Sequence, residues 1–434
     1  MSADQGQERL STGAGQAPLD SPTKTERVKT VVIGAGQAGL AMSYLLTQQD
    51  RDHVVLEKRE RVGESWRGRW DSFTLVTPNW QLQLPGYAYP GDDPDGFMPR
   101  DEVVAYLQDY AAMFDPPIRF GVEVTSVEEN GQGSGYLVHT DDRTFQADEV
   151  VAAVGSFQQP KIPGYSKNAP PDIVQLHSSE YRNPQSLPDG AVLVVGSGQS
   201  GCQIAQELNE SGRKVYLCTG SAIRLPRRYR GKDVMWWASQ VGMFDQTVDQ
   251  LDSPDGRFAA NPQASGKNGG QDINLHAFAR EGIVLLGRLQ DLRGHKAFLG
   301  PDLHENLARA DKAASEFRKG VDMYVQKAGL DLPEETVSEP QDGYEQEVIR
   351  ELDLRQAGIE TIVWATGFDY DYSWIQLSIF DDDGYPIQER GITRYPGLYF
   401  LGLHWLYKRK SGLFFGIAED ATYIAEHIAD RAVR

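Results

Sequence analysis

The sequence predicts an α/β protein made of two Rossmann-like dinucleotide-binding domains, one inserted into the other. The first observation behind this prediction is an apolar strand that runs into a Gly-x-Gly-x-x-Gly turn and a helix at residues 29–46. The second observation is the return of the same pattern at residues 191–208. Strands that alternate with helices in this way form parallel sheets, so each repeat is expected to build a sheet of its own.

The first glycine repeat is expected to hold the pyrophosphate of a nucleotide cofactor. Gly34 permits a tight turn, Gly36 lets phosphate groups approach the backbone, and Gly39 lets the helix pack closely on the strand. The helix then presents free N–H groups to the phosphate charge. The next strand ends in Glu57, a carboxylate placed to accept hydrogen bonds from both hydroxyls of an adenosine ribose, and Lys58 is counted with it as a cofactor-binding residue.

Composition limits the number of domains and the kinds of partner. A chain of 434 residues is too long for one small core and suggests two or three domains. Its net charge of −19 argues against nucleic acid or an anionic membrane as a partner, since both attract basic surfaces. The sequence has neither a membrane-length apolar run nor a hydrophobic signal core, so we expect a cytoplasmic protein, without a metal site. A homodimer is left open.

The order of the segments predicts where the domains meet. Residues 1–26 are polar and aperiodic and are expected to form a disordered leader. A buried strand ends at Gly155, and the prolines Pro160 and Pro163 follow it, which indicates an exit from the first sheet. The expected domains are a cofactor domain of residues 27–165 and 346–434, and an inserted cofactor domain of residues 166–345.

The second glycine repeat has the same spacing as the first. Gly196, Gly198 and Gly201 take the three glycine positions, and Gln199 and Ser200 open the helix between the last two. All five residues are expected to bind a second nucleotide cofactor, by the same turn and the same helix start.

The two repeats differ at the residue that would meet the ribose. Where the first repeat has an acid, the second has Thr219, and a basic run that includes Arg227 and Arg228 follows. An acid would repel a ribose 2′-phosphate, whereas a hydroxyl with neighbouring arginines would hold one. The first site therefore suits FAD and the second suits NADPH, which makes the inserted domain the NADPH domain. The alternative for the arginines is a solvated surface cluster.

Further motifs resemble those of the flavin-containing monooxygenases. His177 and Tyr181 resemble the end of the signature F-x-G-x-x-x-H-x-x-x-Y, although Pro171 and Ile173 replace its Phe and Gly. Residues 153–163 resemble the A-T-G-x-x-x-x-P-x-x-P crossing of that family, with Val in place of Thr.

Other resembling residues lie near the expected flavin. Trp66 ends a stretch that resembles the family's G-G-x-W, and Asn79 falls where the family places an active-site Asn. A later buried strand ends in Ala-Thr-Gly, which is typical of two-domain flavoproteins and makes Thr366 and Gly367 cofactor-binding residues by resemblance.

These resemblances cover nearly everything after residue 27 and identify the chain as similar to class B flavin-dependent monooxygenases, which include the plant YUCCA enzymes. The resemblance implies FAD, NADPH, O₂ and a small-molecule substrate as partners. It also implies a C4a-hydroperoxyflavin that oxygenates a soft nucleophile, either an amine nitrogen or a thioether sulfur. In that chemistry Asn79 is expected to donate a hydrogen bond at the flavin, or else to be a loop residue. His177 is expected at the domain crossing, as a structural residue rather than as a proton carrier.

Three other functions are compatible with parts of the pattern. A disulfide reductase of similar architecture needs a cysteine pair, but Cys202 and Cys218 form no C-x-x-C motif. A Baeyer–Villiger ketone monooxygenase would carry Trp at position 181, where this chain has Tyr181. A flavoprotein that senses redox state without turnover also stays open.

Overall fold

The computed structural model describes residues 24–131, 133–338 and 340–433. They form two units built on parallel sheets, with the second unit inserted into the first. The predicted α/β class with two Rossmann-type units is therefore confirmed. Most of the expected leader lies outside the described residues, but residues 24–26 pair with residues 143–145 as the start of the first strand. Among the described helices, none is both long and apolar enough to span a membrane.

The first sheet has its glycine-repeat strand at the centre. In spatial order its strands are Gln388–Glu389, Ile392–Thr393, Leu398–Phe400, Arg143–Ala152, Lys24–Ile33, His53–Glu57 and Ile118–Phe120, and the antiparallel pair Val124–Glu129 and Tyr136–Thr140 attaches to Arg143–Ala152. The five strands from Leu398–Phe400 to Ile118–Phe120 are parallel. Their Val, Ile and Leu side chains are buried on both faces, which explains why the sequence shows continuous apolar runs there.

The inserted sheet repeats this plan with five parallel strands. In spatial order they are Val174–His177, Ile359–Trp364, Ala191–Val195, Val215–Cys218 and Val284–Leu286. The remaining small sheets are Leu289–Arg293, Lys296–Leu299 and Glu351–Asp353; Arg228–Tyr229 and Lys232–Asp233; Gln83–Leu84 and Tyr87–Ala88; and Gln159–Pro160 and Phe368–Asp369.

Helices fill the connections between these strands. The α-helices are Gln37–Gln48, Glu64–Arg67, Arg100–Phe114, Gln199–Glu210, Val234–Gln240, Lys267–Gly270, Leu275–Arg280, Leu303–Ala328 and Phe414–Val433. Single 3₁₀ turns occur at Asn79–Gln81, Gly164–Asn168, Pro184–Ser186, Met243–Asp245, Val248–Gln250, Pro254–Phe258 and Asp342–Glu345. The first and last long helices, Gln37–Gln48 and Phe414–Val433, pack against each other.

The chain enters and leaves the inserted unit through two paired crossovers. The outgoing crossover follows strand Arg143–Ala152 of the first sheet, and the returning crossover follows strand Ile359–Trp364 of the second. The two crossovers pair as antiparallel strands, Gln159–Pro160 with Phe368–Asp369. By sheet membership the inserted unit therefore extends to about residue 367, past the expected boundary after residue 345. The strands that precede the two crossovers, Arg143–Ala152 and Ile359–Trp364, both finish in an apolar run near a glycine. The sequence therefore does not reveal which sheet Ile359–Trp364 joins.

Contacts away from the crossovers also fasten the units to each other. Residues 243–250 of the inserted unit lie beside residues 407–410, where the amide of Val248 donates to the carbonyl of Tyr407 at 3.0 Å. The side chain of Trp70, from the first unit, is buried in the apolar cluster of the inserted unit. The units therefore share buried surface as well as the crossovers.

The two glycine turns contain one close approach each. A methyl group added at Gly39 would lie 1.8 Å from the carbonyl oxygen of Gly34, and one added at Gly201 would lie 1.8 Å from that of Gly196. At the middle glycines, Gly36 and Gly198, no protein atom lies within 4 Å of an added methyl group. The third glycine of each repeat is thus required by packing, whereas the second leaves open space.

We expect Gly39→Ala and Gly201→Ala to destabilise the ligand-free protein by at least about 1–3 kcal/mol, because each methyl group would overlap a backbone oxygen. Gly36→Ala and Gly198→Ala are matched controls with ordinary φ angles of −74° and −72°, and they should unfold like the parent. Thermal unfolding of the four variants checks this. Equal losses of stability at all four positions would contradict it.

Candidate functional site

The two glycine turns adopt the same backbone conformation. Gly34 and Gly196 have left-handed φ values of +101° and +109°. Gly36 and Gly198 have φ/ψ values of −74°/−173° and −72°/−172°. Each turn follows a central strand and leads directly into a helix, so each presents a phosphate-sized opening at a helix N-terminus.

Glu57 is held in place beside the first turn. Its carboxylate accepts hydrogen bonds from the backbone amides of Ala35 at 2.7 Å and Arg59 at 3.0 Å. These donors fix the carboxylate at the end of its strand, and its remaining lone pairs can accept from ribose hydroxyls. Lys58 points to solvent and lies 3.7 Å from Glu123, so no contact ties it to the turn.

Trp66 connects the start of the first helix to the start of the last one. Its indole Nε1–H donates to Gln37 Oε1 at 3.0 Å, and its ring stacks on Phe414 with centroids 5.8 Å apart. Gln37 is the first residue of the helix after the glycine turn, and Phe414 is the first residue of the last helix. Trp66 therefore lies where a ligand leaving the first turn would pass.

Gln81 is a candidate that the sequence analysis missed. Its side chain is 1% exposed, and neither the nitrogen nor the oxygen of its amide has a hydrogen-bond partner among the described residues. A buried amide without partners is costly, so its donor and acceptor suit a polar ligand. Nothing in the local sequence distinguishes Gln81 from Gln83, which lies exposed two residues later.

Asn79 is engaged by the neighbouring loop. Its Nδ2 donates to the carbonyl of Asp93 at 2.9 Å, and its Oδ1 accepts from the amide of Met98 at 2.9 Å. Both ends of the amide therefore hold residues 93–98. These contacts favour the loop interpretation of Asn79, and its role at the cofactor stays a prediction.

The residue that follows strand Val215–Cys218 of the inserted sheet is neutral and hydrogen-bonded. The Thr219 hydroxyl donates to the carbonyl of Leu286 at 2.7 Å and accepts from Asn306 Nδ2 at 3.2 Å. Asn306 Oδ1 in turn accepts from Nη1 of the exposed Arg309 at 2.9 Å. The guanidinium of Arg309 thus lies within two hydrogen bonds of Thr219, although it comes from a helix about 90 residues later in the chain.

The arginines that follow Thr219 in sequence are engaged elsewhere. All three nitrogens of Arg227 donate, two of them to Asp233 at 2.8 and 3.2 Å and one to the carbonyl of Val76 at 2.7 Å. Its side chain is buried and also lies over Phe97. Arg228 is exposed and donates to the carbonyl of Gly269 at 2.7 Å. Arg227 therefore joins the two units, which argues against the phosphate contact expected from its position in the sequence.

A buried loop covers the second glycine turn. Gln199 Nε2 donates to the carbonyl of Pro262 at 3.0 Å, and Gln263 Nε2 donates to the carbonyl of Ser197 at 2.7 Å. Ser200 is partly buried beside this turn. The loop thus closes one side of the second nucleotide site.

His177 is part of the crossover structure. Its Nδ1 accepts from the amide of Ser179 at 3.2 Å, and its Nε2 therefore carries the proton and donates to the carbonyl of Gly367 at 2.9 Å. Burial lowers the pKa of His177, which keeps the ring neutral. Thr366 donates through its hydroxyl to the carbonyl of Lys161 on the other crossover. Thr366 and Gly367 thus lie at the edge of the inserted sheet and connect the crossovers; a contact with the cofactor stays a prediction for both.

The residues of the first turn fit a dinucleotide. The glycine turn leaves open space at Gly36, and Glu57 is fixed beside it with lone pairs free for ribose hydroxyls. The two cysteines, Cys202 and Cys218, are free and buried, and burial raises the pKa of both thiols. The geometry is that of a nucleotide-dependent redox protein without a reactive dithiol.

Known proteins with this arrangement were found by sequence and by structure. Residues 31–233 match the family model described as pyridine nucleotide-disulphide oxidoreductase. An uncharacterized CzcO-like oxidoreductase of Geobacillus kaustophilus is 35% identical over 92% of this chain and 98% of its own length. The probable indole-3-pyruvate monooxygenase YUCCA3 of Arabidopsis thaliana is 25% identical over 92% of this chain and 86% of its own.

Two solved structures share the fold. The flavin-containing monooxygenase of Stenotrophomonas maltophilia has a TM-score of 0.64 at 19% identity, covering 94% of this chain and 99% of its own. The S-allyl-L-cysteine S-oxygenase of Allium sativum has a TM-score of 0.58 at 15% identity, covering 93% and 77%. The chain therefore belongs to the family of CzcO-like oxidoreductases and is similar to flavin-dependent monooxygenases.

Proposed function

We propose that the protein is an FAD- and NADPH-dependent monooxygenase that uses O₂ to oxygenate an amine nitrogen or a thioether sulfur of a small molecule. The observation that carries this proposal is a pair of glycine turns that have nearly the same backbone conformation but different residues where the ribose would bind. Glu57 closes the first turn, and Thr219 with Asn306 and Arg309 closes the second. The name of the Allium S-oxygenase, which refers to a thioether, is in keeping with this substrate class.

The first unit would hold FAD through its own backbone and a few side chains. The turn at Gly34 and Gly36 would receive the pyrophosphate, and Glu57 would accept from the adenosine ribose. Trp66 would border this site through its contact with Gln37, and Gln81 would exchange its unsatisfied amide for hydrogen bonds to the flavin. The bound flavin, reduced by NADPH, would supply an electrophilic oxygen atom derived from O₂.

The protein needs no nucleophile of its own for this chemistry, because the substrate provides the attacking electron pair. Its tasks are to hold the two nucleotides face to face and to exclude water. His177 would serve the first task by fixing the returning crossover to the inserted sheet, since its neutral ring already donates to Gly367. The buried thiols of Cys202 and Cys218 have no part in it.

The proposal is tested by NADPH oxidation with purified, FAD-loaded protein, measuring peroxide and oxygenated product across amines, thioethers and ketones. Substrate-dependent N- or S-oxygenation supports it. Insertion of oxygen into ketones would select the Baeyer–Villiger alternative instead, and the absence of turnover with every substrate would select the redox-sensing alternative.

We expect Glu57→Ala and Gly36→Ala to lower FAD occupancy, for different reasons. The first removes the acceptor for the ribose hydroxyls, and the second fills the space kept for phosphate. Loss of a charged hydrogen-bond acceptor should weaken FAD binding about tenfold or more. Absorbance of the purified protein near 450 nm, about the usual flavin maximum, measures occupancy. Glu60→Ala, which removes an exposed carboxylate three residues later, is the control, and unchanged occupancy in both test variants would contradict the assignment.

For the second nucleotide we expect a preference for NADPH over NADH, carried by Arg309 and Arg228. Of the variants Arg309→Met and Arg228→Met, the one that removes the contact with the 2′-phosphate should raise the KM for NADPH about tenfold, because a charge-assisted hydrogen bond is lost. The KM for NADH is the internal control and should change little. Arg227→Met should instead impair both cofactors or the fold, since its partners are protein groups.

Asn79→Ala separates a loop role from a role at the flavin. Loss of both hydrogen bonds to residues 93–98 should cost about 1–3 kcal/mol of stability. If the amide also serves the cofactor, as we propose, the variant should release more peroxide for each NADPH consumed and form about tenfold less product. An unchanged melting temperature would contradict the loop role, and unchanged coupling would contradict the catalytic one.

A further inference from the structure

One arginine beside the crossovers has no acidic partner. The guanidinium of Arg69 forms neither an ion pair nor a hydrogen bond with any residue that the structure describes, and burial lowers its pKa to about 10. Four other arginines with little exposed side chain are paired: Arg51 with Glu149, Arg224 with Asp311, Arg227 with Asp233, and Arg257 with Asp381. In a chain with 62 acidic and 43 basic residues, an arginine left without an acid is unexpected.

Aromatic rings place Arg69 at the meeting point of the two units. Its guanidinium carbon lies 4.7 Å from the ring centre of Phe157 and 5.9 Å from that of Phe73. Phe157 is on the outgoing crossover and packs edge-on against Phe368 on the returning one, at 5.2 Å, and against His404, at 5.5 Å. Phe157 is 56% exposed in spite of these contacts. The cation therefore lies beside a partly exposed aromatic cluster at the crossovers.

This surrounding suits an anion that comes from outside the protein. A partly buried charge without a partner among the described residues is costly, and a ring contact does not use up the N–H donors of a guanidinium. Those donors form a planar fork that matches the two oxygens of a carboxylate. The phosphates of the proposed cofactors already have their own positions, at the two helix starts and near Thr219. No cofactor phosphate is thus left to pair with Arg69.

Burial also lowers the pKa of Arg409. Its guanidinium lies over Trp405 at 5.7 Å, and its amide donates to the carbonyl of Gln246 in the inserted unit. These contacts belong to the junction of residues 243–250 with residues 407–410. Only Arg69 of the two contacts a ring on the crossovers.

We propose that Arg69 binds the carboxylate of the substrate, so that the substrates are small carboxylic acids that also carry the oxidisable nitrogen or sulfur. This inference rests on the proposed function, because it names the substrate class of the same site. The carboxylate would pair with the guanidinium, and the apolar part of the acid would lie on Phe157.

The test compares acids with their neutral primary amides in a binding experiment that needs no turnover. FAD-loaded protein without NADPH is titrated with benzoate and benzamide, and with 3-(methylthio)propanoate and its amide, while the flavin absorbance is followed. The parent protein should bind each acid about tenfold or more tightly than its amide, because only the acid forms charge-assisted hydrogen bonds. This comparison is independent of whether any variant folds.

Variants then assign the preference to one residue. Arg69→Met should remove the preference for acids and leave the binding of amides unchanged, and Arg69→Lys should restore part of it. Arg61→Met is the matched control, since Arg61 lies in the same segment, is 61% exposed and pairs with Glu64. It should behave like the parent.

Three results would overturn the inference. These are equal binding of acids and amides by the parent, an acid preference that survives in Arg69→Met, and an Arg69→Met variant that loses only NADPH or FAD affinity. A protein that oxygenates neutral amines or thioethers without preferring acids would keep the proposed function and lose this inference. An acid preference without any turnover would keep this inference about Arg69 and contradict the proposed monooxygenase function.

Discussion

The pairing of the two crossovers is the constraint on which the arrangement of the site depends. An inserted unit must begin and end where the host chain is interrupted, and here both connections run side by side, with Gln159–Pro160 hydrogen-bonded to Phe368–Asp369. His177 adds a bond from the inserted unit to Gly367 on the returning crossover. Because each connection leaves its sheet at the carboxyl end of a strand, the pairing brings the two carboxyl edges together. Ligands of open α/β sheets bind at these edges.

Local patterns in the sequence were sufficient to predict each nucleotide turn. The glycines of both repeats, the strand before each and the helix after it depend on residues within about 20 positions, and the spacing alone predicts them. The acid at Glu57 belongs to the same short unit, and the structure places it against the turn through Ala35. These parts of the site require no knowledge of long-range contacts.

The predictions that failed or stayed open depend on long-range contacts. The sheet to which strand Ile359–Trp364 belongs is decided by its neighbours Val174–His177 and Ala191–Val195, far away in sequence. Arg227 looks like a phosphate ligand beside Thr219, but a nearby acid and the carbonyl of Val76 occupy it. Conversely, Arg309 approaches Thr219 only because a helix later in the chain packs there. Charge and proximity in sequence do not determine which partner an arginine meets in space.

The matched conformation of the two glycine turns has a consequence for how the protein could distinguish its nucleotides. With φ and ψ at Gly36 and Gly198 equal within a few degrees, both turns offer a pyrophosphate the same backbone amides and the same space. The phosphates therefore carry no information about which nucleotide is bound where. Under the proposed function that information would be read at the ribose, by one carboxylate in one unit and by a short relay of hydroxyl, amide and guanidinium in the other. Cofactor selectivity in such a duplicated architecture is set by only a few side chains and can change without any alteration of the turns themselves.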